Sequence, residues 1–237
     1  MSSIVKSIEN INEGKIFTLK DLKWDNANSA VSSISRLVKL GRIKRYSKGK
    51  YYKPKKDIFG TRPLSYKDVA KFYLGDKTIS GYYSGIYLYN YMGLTSQVPT
   101  VIEICTNKVK FPEKKNAGKM TIYLKPLEVN ISSKSDVILL QYLDLVKNIK
   151  RAPDVEPDKV VDYLKQKLLR KNINFQNFIN FASGYQPFVR ATIGSILEVI
   201  GYKKYSNILA CSLNPLTKYN LNISSEALPN KFDWNIV

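Results

Sequence analysis

The apolar positions of the first 60 residues change spacing several times. Ile4, Val5, Ile8 and Ile11 recur at helical spacing and predict a short first helix, which Gly14 ends. Ile16-Phe17 reads as a brief extended piece. Thr18 is placed to cap a short helical segment, Leu19 to Leu22, with Asp21 at the third helical position as a capping-box partner. Trp24-Asp25-Asn26 reads as a turn. From Asn28 to Gly41 the period is helical again, with Ala30, Val31, Ile34, Leu37 and Val38 on the apolar stripe and Gly41 as the stop. Next come two β-prone flanks, Arg42 to Tyr46 and Tyr51 to Pro54, around Ser47-Lys48-Gly49-Lys50, which predict a hairpin with a basic tip.

Further along, Lys55 to Pro63 reads as a linker. Ser65 to Asp68 opens a helix running to about Leu74, and Ile86 to Met92 predicts another, closed by Gly93. Val101 to Cys105, Val109 to Phe111 and Met120 to Leu124 read as strands, with Glu113 to Gly118 as a polar turn. Helices are expected over 137–149 (capped by Asp136, with Ile138 buried), from Pro157 to Arg170, around Phe175 to Phe181, and from Pro187 to Ile200. The tail from Ser212 is rich in loop-forming residues, and Trp234 is expected to pack it down. The predicted class is α+β: a winged helix-turn-helix over 1–56, then a domain over 57–237, mixed α/β over about 62–130 and mainly helical over about 136–237.

Charge changes the picture most in the first segment. The chain has 237 residues and a formal net charge of +19. Residues 1–60 hold 14 Lys/Arg against 5 Asp/Glu, and the stretch from Arg36 to Lys56 holds ten basic side chains and no acidic one. A solvated face ordinarily mixes both signs, so this stretch points to a polyanion. The helix face opposite the apolar stripe carries Asn28, Ser29, Ser32, Arg36 and Lys39, short polar and basic groups that can approach the floor of a major groove. Arg42, Lys44, Arg45, Lys48 and Lys50 line the hairpin. Double-stranded DNA is the expected partner, with the helix in the groove and the wing along the backbone.

The chain has no histidine, which excludes His-based triads and His metal ligands. Its two cysteines, Cys105 and Cys211, cannot make a four-Cys zinc site and are expected to be buried thiols. Gly81 and Gly85 lack the Lys-Ser/Thr of a phosphate loop. Acidic groups are sparse: Glu103 with Lys108, and Asp154, Glu156 and Asp158, which read more simply as a helix-start cluster. No catalytic site, metal or cofactor is expected. Five tyrosines cluster at Tyr82, Tyr83, Tyr87, Tyr89 and Tyr91. Such residues serve as core with a polar tip, as an interface, or as stacking platforms for unpaired bases. With no apolar leader in the first residues and no run approaching 18 apolar residues, a cytoplasmic protein without membrane contact is expected.

Several segments together carry a family likeness: Gly14-Lys-Ile-Phe-Thr-Leu-Lys-Asp-Leu22, Ser29 through Arg45, Lys48-Gly-Lys-Tyr-Tyr-Lys-Pro54, Ser84-Gly85, Gly93-Leu-Thr-Ser-Gln-Val-Pro99 and Thr106. On these the chain resembles the AbiEi-like antitoxins of bacterial abortive-infection, type IV toxin–antitoxin systems, over about residues 10–110. The resemblance implies a winged helix that binds promoter repeats and represses its own operon. It also implies a C-terminal domain that counters a nucleotidyltransferase-like toxin, AbiEii, typically without a stable complex. By position, Asn28, Ser29, Ser32 and Arg36 match that family's recognition helix, and Lys44, Arg45, Lys48 and Lys50 its wing. Two alternatives stand beside it: a stand-alone winged-helix regulator with an assembly or ligand-sensing domain, and a DNA-targeted nuclease.

Overall fold

A computed structural model describes residues 3–58, 60–76, 78–152, 154–170 and 173–237. The chain mixes helices and sheets and divides into two compact units. The first comprises residues up to 78 together with 115–122; the second comprises 79–114 and 123–237.

In the first unit, α1 (Ser3–Glu9) is followed by β1 (Ile16–Thr18) and a single 3-10 turn, Leu19–Asp21. The Asp21 carboxylate accepts from the backbone N–H of Thr18 at 2.7 Å and from its hydroxyl at 2.8 Å. Then come α2 (Ala27–Lys39), β2 (Lys44–Ser47) and β3 (Lys50–Tyr52). The three strands form an antiparallel sheet in the order β1-β3-β2, with Phe17 opposite Tyr51 and Arg45 opposite Tyr51 on its other side. Ile4, Val5, Ile8, Phe17, Ala30, Ile34, Leu37 and Ile43 form one buried cluster, so the helices and the sheet share a core.

The expected linker at 55–63 is instead a second hairpin, β4 (Lys55–Asp57) and β5 (Gly60–Arg62), closed by an Asp57–Arg62 ion pair; Phe59 lies outside the described residues. The first unit also runs past the expected boundary at 56. It includes α3 (Tyr66–Leu74), because two basic residues of the preceding segment tie to that helix. Lys55 Nζ lies 2.7 Å from Asp68, and Lys50 Nζ lies over the rings of Phe72 and Tyr73. Ser65 and Asp68 exchange backbone and side-chain hydrogen bonds as a capping box.

Next in the chain come β6 (Gly81–Ser84), α4 (Tyr87–Tyr91) and β7 (Val101–Thr106), which belong to the second unit, then β8 (Glu113–Ala117) and β9 (Met120–Pro126), whose residues 115–117 and 120–122 are counted with the first. Their sheet order is β6-β7-β9-β8. β8 falls where a polar turn was expected, and 109–111 is not a strand. The alternation of half-buried Glu113 and Lys115 with exposed Lys114 and Asn116 gives no apolar signal, so pairing rather than hydrophobicity defines this edge. Five helices follow: α5 (Lys134–Lys147), α6 (Pro157–Leu168), α7 (Phe175–Ser183), α8 (Pro187–Val199) and α9 (Lys203–Ala210). Ser133, not Asp136, is the cap of α5. Asp136 is the third helical residue and its carboxylate accepts from the Ser133 backbone N–H, while the Asn177 amide donates to its other oxygen at 3.1 Å. Ile138 is exposed rather than buried. The tail packs as expected: Tyr219 bridges Ile236 in parallel, and Trp234 is buried. Among the described residues no helix is long and apolar enough to cross a membrane.

Candidate nucleic-acid interface

The start of α2 is fixed by Asn26, whose side-chain oxygen accepts from the backbone N–H of Asn28 at 2.9 Å and of Ser29 at 3.3 Å. Its end is fixed by Gly41, at φ +68°, a conformation that a side chain would strain. There the Gly41 N–H bonds the Val38 carbonyl and the Arg42 N–H bonds the Leu37 carbonyl, each at 3.0 Å. This paired closure turns the chain out of the helix. Ile43 drops into the core at 1% exposure and anchors the start of β2. The same turn leaves Arg42, Lys44 and Arg45 exposed directly after the helix.

Of the ten residues singled out from sequence, nine are exposed: Asn28, Ser29, Ser32, Arg36, Lys39, Arg42, Lys44, Arg45 and Lys48. They lie on α2, on the turn after it, on β2 and, for Lys48, at the tip between β2 and β3. Among the described residues, none of the six cations in this group is held in an ion pair. Lys50 differs. It is half-buried, its Nζ lies 5.3 Å from the Tyr73 ring centroid, and it donates to the Tyr73 hydroxyl at 3.4 Å. Its charge is spent on holding β3 to α3 and is not presented at the tip. Lys53 and Lys55 are likewise engaged, on the Glu9 carbonyl and the Asp68 carboxylate.

Sequence reasoning misplaced one residue of α2 and overlooked another. Val31, assigned to the apolar stripe, is 55% exposed, whereas Ala30, Ile34 and Leu37 are the buried residues. Ser35 is exposed on the same face as Asn28 and Ser32. At 100° per residue both positions fall off the buried stripe, so the helical angle held the signal and the residue types masked it.

Residues 3–173 match DUF6088, a family of unknown function. The chain belongs to the DUF6088 family. A search of curated proteins gave no match. Among solved structures, this DUF6088 chain is similar to the RV2827C protein from Mycobacterium tuberculosis, at 13% identity and a TM-score of 0.40. The match covers 91% of this chain and 81% of that one.

The remaining chemistry of the DUF6088 chain lies in its second unit. Asp144 of α5 is 2% exposed, and its carboxylate accepts from the Ser84 hydroxyl and, at 2.8 Å, from the Tyr185 hydroxyl. Burial raises the pKa of Asp144, the two hydroxyls opposing it. Burial also raises the Tyr82 and Tyr185 phenols and pushes the half-buried Cys105 thiol up to about 11. Cys211 is exposed rather than buried. Tyr82 and Tyr89 are core residues, Tyr83 meets the rings of Tyr87 and Tyr91 at a tilt of about 50°, and only Tyr91 of the five is largely exposed. Glu103 pairs with Lys125, Asp154 accepts from Gln97, and Asp158 accepts from the Ser224 N–H at 2.8 Å. Among the described residues, no three His, Cys, Asp or Glu side chains gather as metal ligands.

A group whose folded pKa is raised binds its proton more tightly folded than unfolded. Stability therefore falls as pH rises above the ordinary Asp value of 3.8, and levels off once the folded pKa is passed. Asp68 and Asp136 are shifted down, so their contributions are lost only on acidification below that value. Asp144→Asn should therefore flatten the decline above pH 3.8, as read by urea unfolding at a series of pH values from there upward. A variant retaining the wild-type slope would assign the decline to another group.

Proposed function

We propose that the chain is a DNA-binding antitoxin and autorepressor of a type IV toxin–antitoxin operon, acting against a nucleotidyltransferase-like toxin, and that it is not an enzyme. The observation that carries the DNA-binding part is the carboxylate-free surface formed by α2 and the β2–β3 hairpin. In that reading residues 3–52 are a winged helix-turn-helix. The 3-10 turn takes the place of its second helix, α2 is the recognition helix, and β2–β3 is the wing. Six exposed cations, in no ion pair among the described residues, are matched to phosphates, and the short side chains of Asn28, Ser29, Ser32 and Ser35 let the helix backbone come close to base edges. The antitoxin part rests on the sequence resemblance to AbiEi-like proteins, with the second unit in the toxin-facing role.

A gel shift on the gene's own upstream region tests the first part. Specific retardation is expected, weakened by Arg36→Ala with Lys48→Ala; unchanged affinity in that double variant would remove the site assignment. Co-expression with a neighbouring nucleotidyltransferase gene tests the second part. Growth rescue is the expected outcome, and DNA binding without rescue would leave a stand-alone regulator.

A further inference from the structure

One side chain on the exposed face of α2 is accounted for neither by charge nor by the core. Val31 is 55% exposed, although Ala30, Ile34 and Leu37 already complete the buried stripe at 1%, 3% and 4%. On the same exposed side lie Asn28, Ser32 and Ser35. Among the described residues no hydrogen bond engages the side chains of these three. This face therefore offers one apolar contact surrounded by unengaged amide and hydroxyl groups, with Arg36 and Lys39 on the following turn and no carboxylate.

We propose that Val31 packs on the C5-methyl group of a thymine in the major groove, while the Asn28 amide bonds N6 and N7 of an adenine in a neighbouring base pair. The element read by α2 is then an A·T step. This rests on the reading of α2 as a recognition helix. The thymine methyl is the apolar feature of the major-groove edge, and a side-chain amide pairs with the adenine edge in bidentate fashion. The spacing agrees. Three residues along a helix rise about 4.5 Å, comparable to one base-pair step of about 3.4 Å, so residues 28 and 31 can meet adjacent pairs. The surrounding charge selects the occupant. A protein partner seated on Val31 would have to accommodate six cations, whereas duplex DNA is complementary to them.

The test uses the full chain and the upstream duplex made twice, once with thymidine and once with deoxyuridine throughout, which differ only in the C5-methyl groups. An unrelated duplex of equal length, made the same two ways, controls for altered DNA flexibility. The wild type should bind the uracil duplex about four-fold more weakly, in keeping with one lost methyl contact. Val31→Ala should bind both duplexes alike, at about the affinity of the wild type for the uracil form. Val31→Thr, which keeps the β-branched shape, should retain most of the preference. Equal wild-type affinity for the two forms in a specific complex, or an undiminished preference in Val31→Ala, would overturn the assignment of Val31 while leaving DNA binding intact. Absence of any specific complex would overturn the DNA reading itself, and Val31 with it.

Discussion

Replacing Arg36, Arg42, Lys44, Arg45 and Lys48 together with alanine is expected to lower affinity for the upstream duplex about a thousand-fold at ~0.15 M salt, and to reduce the slope of log K against log salt by about 4.5. All five are exposed, and among the described residues none pairs with a carboxylate. Each phosphate they neutralise would release condensed counterions, contributing about 0.9 to the slope. Their removal leaves the core cluster untouched, so thermal unfolding should shift by no more than the ~0.5 kcal/mol typical of surface changes. Lys53→Ala with Lys55→Ala is the informative contrast. Those amines bind the Glu9 carbonyl and Asp68, so their loss should affect stability and leave the salt slope nearly unchanged. A salt slope unaltered in the five-residue variant would mean that this surface does not contact phosphate.

Trp234→Ala is expected to destabilise the second unit by about 3–5 kcal/mol, measured by urea unfolding. The indole is 6% exposed, and its Nε1 donates to Glu198 at 2.8 Å. The same Glu198 oxygen accepts from Asn230, whose side-chain oxygen in turn accepts from the Ser195 hydroxyl at 2.6 Å. The ring occupies the space beside Gly194, where a Cβ would lie 2.2 Å from Trp234 Cζ3, so only glycine admits it there. Truncation would leave both a cavity and an unpaired donor-acceptor set around Glu198. Phe232→Ala, two residues away and 64% exposed, should change stability by less than ~0.5 kcal/mol. Equal effects from the two substitutions would contradict the packing described for the tail.

The elements most legible from sequence were those where residue type and period agree. α2 is one: Ile34 and Leu37 bury it and Gly41 stops it, although Asn26, which reads as part of a turn, proves to be its cap. Trp234 is another, the one tryptophan of a loop-rich tail. The reading failed where pairing or solvent placement overrides residue type. β4 and β5 are only three residues each, and the exposed Gly60-Thr61-Arg62 strand has no apolar face. α9 went unpredicted because only Ser206 and Leu209 of its eight residues are buried. In the candidate interface the polar and basic positions were visible as a pattern. Sequence could not separate Lys50, drawn onto Tyr73 by the fold, from Lys48 at the open tip. Asp144, an acid in the apolar run of α5, was passed over although its isolation there was visible.

The turn at Gly41 sets the phase between two surfaces as well as ending a helix. Each residue advances a helix by about 100° but a strand by only about 3.4 Å. One residue added to α2 before Leu37 would rotate the upstream face bearing Asn28 and Ser32 by more than a quarter turn against Arg42, Lys44 and Arg45, while one added at the hairpin tip would only lengthen the wing. The stretch from α2 to Ile43, pinned at its end by three N–H to carbonyl bonds and one buried side chain, is therefore the segment of this surface least tolerant of a change in length.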